Sequence, residues 1–317
     1  MSLAIQPSDV HAAAERIRPL ARRTPVMISP DFDAATGKSV FFKCENLQRG
    51  GAFKIRGASN LILSLPASSL SRGIVTYSSG NHAQAVAIAC KHVGAQATIV
   101  MPEDAPKAKL ESTRSHGAKI VTYNRQTEVR ETIAAKILEE TGGTLVPPFD
   151  HPMIMAGQGT AALELITDAG PVDALITPVG GGGLISGCSV MAKELNPNIR
   201  IFGVEPQGAN DTFLSVAAGE RVTIPHPDTI ADGLRSPRPG SLTFPVVQQL
   251  VERIILVSDD EIRAAVKYLL TRMKILVEPS GAVGAAALLF GKVQPEIRRI
   301  GVILSGGNID FEDLAKY

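Results

Sequence analysis

The chain has 317 residues, 44% of them hydrophobic and 20% charged, a balance that suits a soluble globular protein of one large or two moderate domains. Its 32 basic and 31 acidic residues leave a net charge of +1, and aromatics make up only 4% with no Trp. Neither a basic face nor a stacking platform for nucleic acid is expected, whereas 29 glycines fit close packing and backbone-lined anion sites.

The opening stretch MSLAIQPSDVHAAAERIRPLARRTP has no apolar signal core, and no run is long enough to span a bilayer. Cys44, Cys90 and Cys188 are scattered and odd in number. A cytoplasmic protein with no membrane partner is expected. From Ser39 onward, strand-like and helical runs alternate. SVFFKCE precedes helical GASNLILSL, and GIVTYS precedes NHAQAVAIACKHVG, a helix that Gly94 should stop. ATIVMP, PKAKLESTRSHG, AKIVTY, QTEVRETIAAKILEETG and TLVPPF continue the pattern. MIMAGQGTAALELITDAG reads as a helix, and ALITPVG, RIFGVEP, IILVS, ILVEP and RIGVILSGG as strands. Ser258 and Glu261 form a capping box that opens the helix DDEIRAAVKYLLTRM. Such alternation predicts parallel βαβ units. Pro- and Gly-rich breaks at 65–66 and 147–152 suggest a small domain, 73–150, set into a larger one, 1–66 and 152–317. The stretch PHPDTIADGLRSPRPGS has no periodicity and reads as a functional or connecting loop.

Four constellations carry chemistry. Lys54 lies between Phe53 and Ile55, with Gly50, Gly51 and Gly57 around it; a desolvated lysine is a nucleophile or base, whereas a solvated one on a helix start would be inert. Ser78, Ser79, Gly80, Asn81 and His82 join a strand to a helix, the place for a carboxylate or phosphate on free N–H groups, or for an ordinary capped turn. Gly180, Gly181, Gly182 and Gly183 follow the strand ALITPV and precede a helix, without the spacing of a dinucleotide fingerprint or a P-loop. Ser305, Gly306, Gly307 and Asn308 follow IGVIL, at the strand end where parallel sheets bind ligands.

Taken together and in this order, KCENLQRGGAFKIRGA, SSGNHAQA, PVGGGG, GVEP, MKILVEPSGA and LSGGN resemble the fold type II (tryptophan synthase β-like) pyridoxal-phosphate enzymes, and among them the serine/threonine dehydratase and serine racemase group. The resemblance implies an α/β fold of two α/β domains with mostly parallel sheets. It implies that Lys54 holds pyridoxal 5'-phosphate as a Schiff base, that Phe53 lies beside the ring and that Asn81 meets the ring hydroxyl. Gly180, Gly181, Gly182 and Gly183 would take the phosphate and Ser305 the pyridine nitrogen. A neutral hydroxyl there weakens the electron sink and favours prompt β-elimination. Ser78, Ser79, Asn81 and His82 would grip the substrate carboxylate, with Ser79 as the acid/base opposite Lys54 in a racemase. Arg130 matches an arginine that approaches the substrate side. Glu205, Ala209 and Asp211 match a divalent-cation site for Mg, Ca or Mn, two carboxylates and a carbonyl being suited to a hard cation.

The implied activity is dehydration and deamination of a small β-hydroxy amino acid such as L-serine or L-threonine to a 2-oxo acid and ammonia, with racemisation as a second activity, by a homodimer. A 3-hydroxyaspartate dehydratase is the nearest alternative, and a non-catalytic nucleotide-binding module an alternative of another class. Three features depart from the group. Ala52 stands where many dehydratases carry Ser, and Arg49 and Gly50 replace the Lys-Thr pair of animal serine racemases, so control by ATP is not expected. Arg235 and Arg238 sit in the irregular loop; reaching the site they would meet a second carboxylate, and pointing to solvent they would leave serine and threonine as substrates.

Overall fold

The computed structural model describes residues 3–78, 80–105, 107–124 and 126–317. Ten strands build two sheets: β1 Val26–Met27, β2 Ser39–Cys44, β3 Ile74–Tyr77, β4 Ala97–Pro102, β5 Lys119–Tyr123, β6 Thr144–Leu145, β7 Ala174–Pro178, β8 Arg200–Pro206, β9 Arg253–Val257 and β10 Arg299–Leu304. The larger sheet has the order β1-β2-β10-β7-β8-β9 and the smaller β5-β4-β3-β6. Every pairing is parallel except β1 with β2, the mixed α/β arrangement that the alternating pattern predicts.

The larger sheet is buried on both faces, so its strands read as continuous apolar runs. Ile176, Phe202, Val204, Ile300 and Val302 pack against the helices Asp259–Thr271 and Pro279–Leu289. The alternate residues Leu175, Ile201 and Ile303 face Pro152–Ala169 and Gly183–Leu195. The four strands β3, β4, β5 and β6 all fall within 74–145, and the core beside them also draws Leu20, Ile55, Ile62 and Ile154 from either side of that stretch. No helix among the described residues is long and apolar enough to cross a membrane.

Three elements differ from the sequence reading. ILVEP is not a strand: it runs unpaired as 275–278 into the helix Pro279–Leu289, and the Glu278 N–H donates to the carbonyl of Gly306. Its Ile275 and Val277 side chains serve the core without joining the ladder, while Leu276 is exposed. TLVPPF contributes only Thr144–Leu145 to a sheet, because Pro147 and Pro148 have no N–H to donate to a ladder. An N-terminal helix, Pro7–Ile17, is opened by a capping box between Gln6 and Asp9. The helices opened by Ser258 and stopped by Gly94 (φ 69°) form as predicted.

Candidate active site

The chemistry-bearing segments meet where strands end. Ser305 follows β10, the glycine run follows β7, and Ser78 follows β3, each at the carboxyl end of its strand, where a parallel sheet turns its chain ends toward a ligand. The Phe53 N–H donates to the Ser305 carbonyl at 3.0 Å, and the Gly307 N–H to the Gly51 carbonyl at 2.9 Å. Gly51 has φ 72°, and a Cβ there would fall on the Asn308 side chain. Asn308 Nδ2 in turn donates to the Gly50 carbonyl at 2.7 Å and to Asn81 Oδ1 at 2.9 Å. One asparagine thus ties three of the four constellations together.

Lys54 opens the helix Lys54–Leu63. Its amine donates to the Pro148 carbonyl at 2.8 Å and lies 5.2 Å from the centre of the Phe53 ring. Burial lowers its pKa to about 8, against an opposing pull from Glu278, so a sizeable fraction of the amine is neutral near physiological pH. Two residues on, buried Arg56 anchors the helix through Glu45 at 2.7 Å and Glu164 at 2.7 Å. His82 is buried and its pKa falls to about 3, chiefly through burial and then through Lys54. Its Nε2 lies 3.0 Å from the Val146 carbonyl, which makes Nε2 the protonated nitrogen and Nδ1 an acceptor. In this arrangement His82 brings no charge and no free N–H to a carboxylate.

The glycine run is a cradle that side chains would fill. A Cβ on Gly181 would sit 2.4 Å from the Phe149 ring, and Gly182 has φ 90°. Gly183 begins the helix Gly183–Leu195, whose first-turn N–H groups have no internal partner and suit a phosphate. A cavity of about 340 Å³ is lined by Phe53, Lys54, Ser78, Asn81, His82, Arg130, Gly180, Gly181, Gly182, Gly183 and Ser305. Arg235 and Arg238 line it too. Ser79 lies outside the described residues. The cradle, the anchored amine and the neutral Ser305 hydroxyl fit pyridoxal phosphate.

Glu278 also lines this cavity, nearly fully buried, and accepts from Asn81 Nδ2 at 2.7 Å. Sequence reasoning passed over it because an acid inside Ile275, Leu276 and Val277 was absorbed into an apparent strand. Its signal was a carboxylate directly after the buried pair Ile275 and Val277.

Glu205, near the end of β8, and Ala209 and Asp211 just beyond it form a separate, fully buried cluster. Glu205 accepts the N–H groups of Thr212 at 3.1 Å and Phe213 at 2.8 Å. Neither carboxylate oxygen of Asp211 has a hydrogen-bond partner. Burial, then the facing Asp211, raises Glu205 well above the usual carboxylate range, and burial raises Asp211 to about 7. Two buried carboxylates left facing each other in this way fit a divalent cation, although no group of three His, Cys, Asp or Glu side chains occurs among the described residues.

Residues 17–306 match the pyridoxal-phosphate dependent enzyme family, and the chain belongs to that family. This sets aside the reading as a non-catalytic nucleotide-binding module. Among its relatives, the chain is 47% identical to an L-threo-3-hydroxyaspartate ammonia-lyase of Pseudomonas sp, covering 97% of this chain and 96% of the relative. It is 45% identical to the serine racemase of Schizosaccharomyces pombe, covering 98% and 96%. The solved structure of maize serine racemase superposes with a TM-score of 0.95 at 46% identity, covering 99% of this chain and 96% of that one. The fold is that of the fold type II enzymes.

Proposed function

We propose that the protein dehydrates and deaminates a small β-hydroxy amino acid to a 2-oxo acid and ammonia. The observation that carries this reading is Lys54: a partly neutral amine in the cavity that the glycine run, Ser305 and Asn81 also line. Bound pyridoxal phosphate supplies the electron sink that makes the α-carbon acidic. Lys54 anchors that group and then, as a free amine, takes the α-proton. Gly180, Gly181, Gly182 and Gly183 would hold the phosphate by backbone N–H groups, while Phe53 would flank the ring and Asn81 would meet its hydroxyl. Ser305 would offer the ring nitrogen a neutral partner, which disfavours storing charge on the ring and favours loss of the β-hydroxyl, leaving as water with the proton that Lys54 has taken.

The substrate α-carboxylate is held by Ser78, Ser79 and the N-terminus of the helix Asn81–Val93, where the helix dipole and unspent N–H groups favour an anion. His82 shapes that turn as a neutral ring. Arg130, whose guanidinium lies 5.2 Å from the Tyr77 ring centre and 2.8 Å from Glu131, closes the substrate side. Glu205, the Ala209 carbonyl and Asp211 hold a divalent cation (Mg, Ca or Mn) that neutralises the buried carboxylates, and the enzyme works as a homodimer, which light scattering would measure.

The test is a panel of L-serine, L-threonine and L-threo-3-hydroxyaspartate, scored for 2-oxo acid and for enantiomer. Release of 2-oxo acid is expected; its absence from all three overturns the reading. Racemisation is a second reading, favoured by the relatives named serine racemase. With Lys54 serving one face of the α-carbon and Ser79 the other, Ser79→Ala should lower racemisation by about 100-fold while elimination from the L-substrate changes far less. Equal loss of both would make Ser79 a carboxylate ligand only.

A further inference from the structure

We propose that Arg235, seconded by Arg238, forms a subsite for a carboxylate on the substrate side chain, which makes a dicarboxylic β-hydroxy amino acid of the 3-hydroxyaspartate type the preferred substrate. The proposal rests on the dehydratase reading above and names the substrate within it. The α-carboxylate already has the turn around Ser78 and Asn81, so a cationic group elsewhere in the cavity is free for a second anion. Arg235 and Arg238 both line that cavity. Neither has a carboxylate partner among the described residues, whereas Arg56, Arg130 and Arg200 are each paired with glutamates. Two unpaired guanidiniums at one mouth attract an anion, and a guanidinium binds a carboxylate through two parallel N–H groups.

Arg235 is also held in place. Its Nε and Nη2 donate to the Thr229 carbonyl at 2.8 and 2.5 Å, which leaves the Nη1 edge for a ligand. Thr229 is itself fixed, because its hydroxyl donates to Asp259 at 2.6 Å and the next N–H, of Ile230, reaches the same carboxylate at 3.1 Å. The preceding Leu234 lies on the glycine run: a Cβ on Gly180 would fall 3.3 Å from Leu234 Cα. The arginine is therefore carried by a turn that leans on the cofactor cradle and is clamped from behind, an arrangement that loses little freedom on binding. Elimination of water from 3-hydroxyaspartate leaves the second carboxylate untouched, and the product of hydrolysis is oxaloacetate plus ammonia, which balances the atoms of the substrate.

The experiment compares kcat/KM of the holoenzyme and its Arg235→Ala, Arg235→Lys and Arg238→Ala variants on L-threo-3-hydroxyaspartate and L-serine, together with inhibition by succinate and by butyrate. Wild type is expected to favour hydroxyaspartate. Arg235→Ala should lower its kcat/KM by about 100-fold, mainly through KM, with serine changed less than about threefold, because only the dicarboxylate uses the fork. Arg238→Ala should show a smaller loss of the same kind, and Arg235→Lys should recover part of the activity. Succinate should inhibit wild type better than butyrate and lose that advantage in Arg235→Ala. A wild type that prefers serine, or variants that change both substrates in parallel, overturns the subsite and leaves the dehydratase reading standing. A wild type that turns over no hydroxy amino acid overturns both.

Discussion

Lys54 shows how much one environment changes one side chain. An ordinary lysine is protonated until about pH 10, whereas burial brings this one to about 8. The charged form is the one that burial disfavours, so the neutral, nucleophilic fraction grows as pH rises through that value. The rate at which cofactor-free protein gains the visible absorbance of bound pyridoxal phosphate should climb with pH and level off above about 8; a climb that continues to pH 10 would mean a solvated amine. Lys54→Ala should abolish turnover, and borohydride treatment followed by peptide mapping should find no pyridoxyl group where wild type carries one. The neighbours of Lys54 left a solvated and a desolvated lysine both open in the sequence, and only the set of motifs taken together pointed to a role for it. Glu278 was not legible, since its neighbours Ile275, Leu276 and Val277 carry the stronger signal. His82 was legible as part of the turn between a strand and a helix but not in its charge state, which depends on burial and then on Lys54, 28 residues back in the chain.

At the scale of elements, small residues decide how closely the helices approach. The helix Pro152–Ala169 carries Gly157 toward Lys54–Leu63 and Gly159 toward Gly183–Leu195. A Cβ on Gly157 would fall 2.6 Å from the Arg56 carbonyl oxygen, and one on Gly187 would fall 2.0 Å from that of Met155. The helix that Lys54 opens and the helix that follows the glycine run are thus both set by contact with one shared helix. Gly187→Ala should destabilise the protein by about 1–3 kcal/mol, the usual cost of overpacking, seen as a lower midpoint in urea with the denaturant slope unchanged. A midpoint within error of wild type would show that the crossing has slack. Composition anticipated close packing from abundant glycine, and periodicity located these helices, but which glycines face which helix depends on rotations about each axis that spacing alone leaves open. The same holds for ILVEP: β-branched and apolar residues suit a strand or a buried extended connection equally well, and only the neighbouring chain decides.

For the whole molecule, one cavity gathers the chain ends that follow β3, β7 and β10, while Glu205 near the end of β8 and Asp211 just beyond it are not among the residues that line it. If a cation neutralises Glu205 and Asp211, its removal leaves two buried carboxylates that must take up protons or face each other charged, and stability should fall along with rate. Chelator should lower the melting temperature of wild type, Mg, Ca or Mn should restore it, and Glu205→Ala should no longer respond; an unchanged melting curve with chelator would remove the site. The alternation of strand and helix made this architecture legible from the sequence, whereas the partition of strands between sheets rests on long-range pairing.

Asn308, bonded to both Gly50 and Asn81, has one more consequence. The loops around the cavity are latched to one another by bonds between protein groups, which need no cofactor to form, so the receptacle is expected to persist when the cofactor is removed. In deuterium exchange on the cofactor-free protein, the amides of Phe53 and Gly307, which bond to Ser305 and Gly51, should therefore be protected and should open together, as one cooperative unit, rather than fray separately as unlatched loops do.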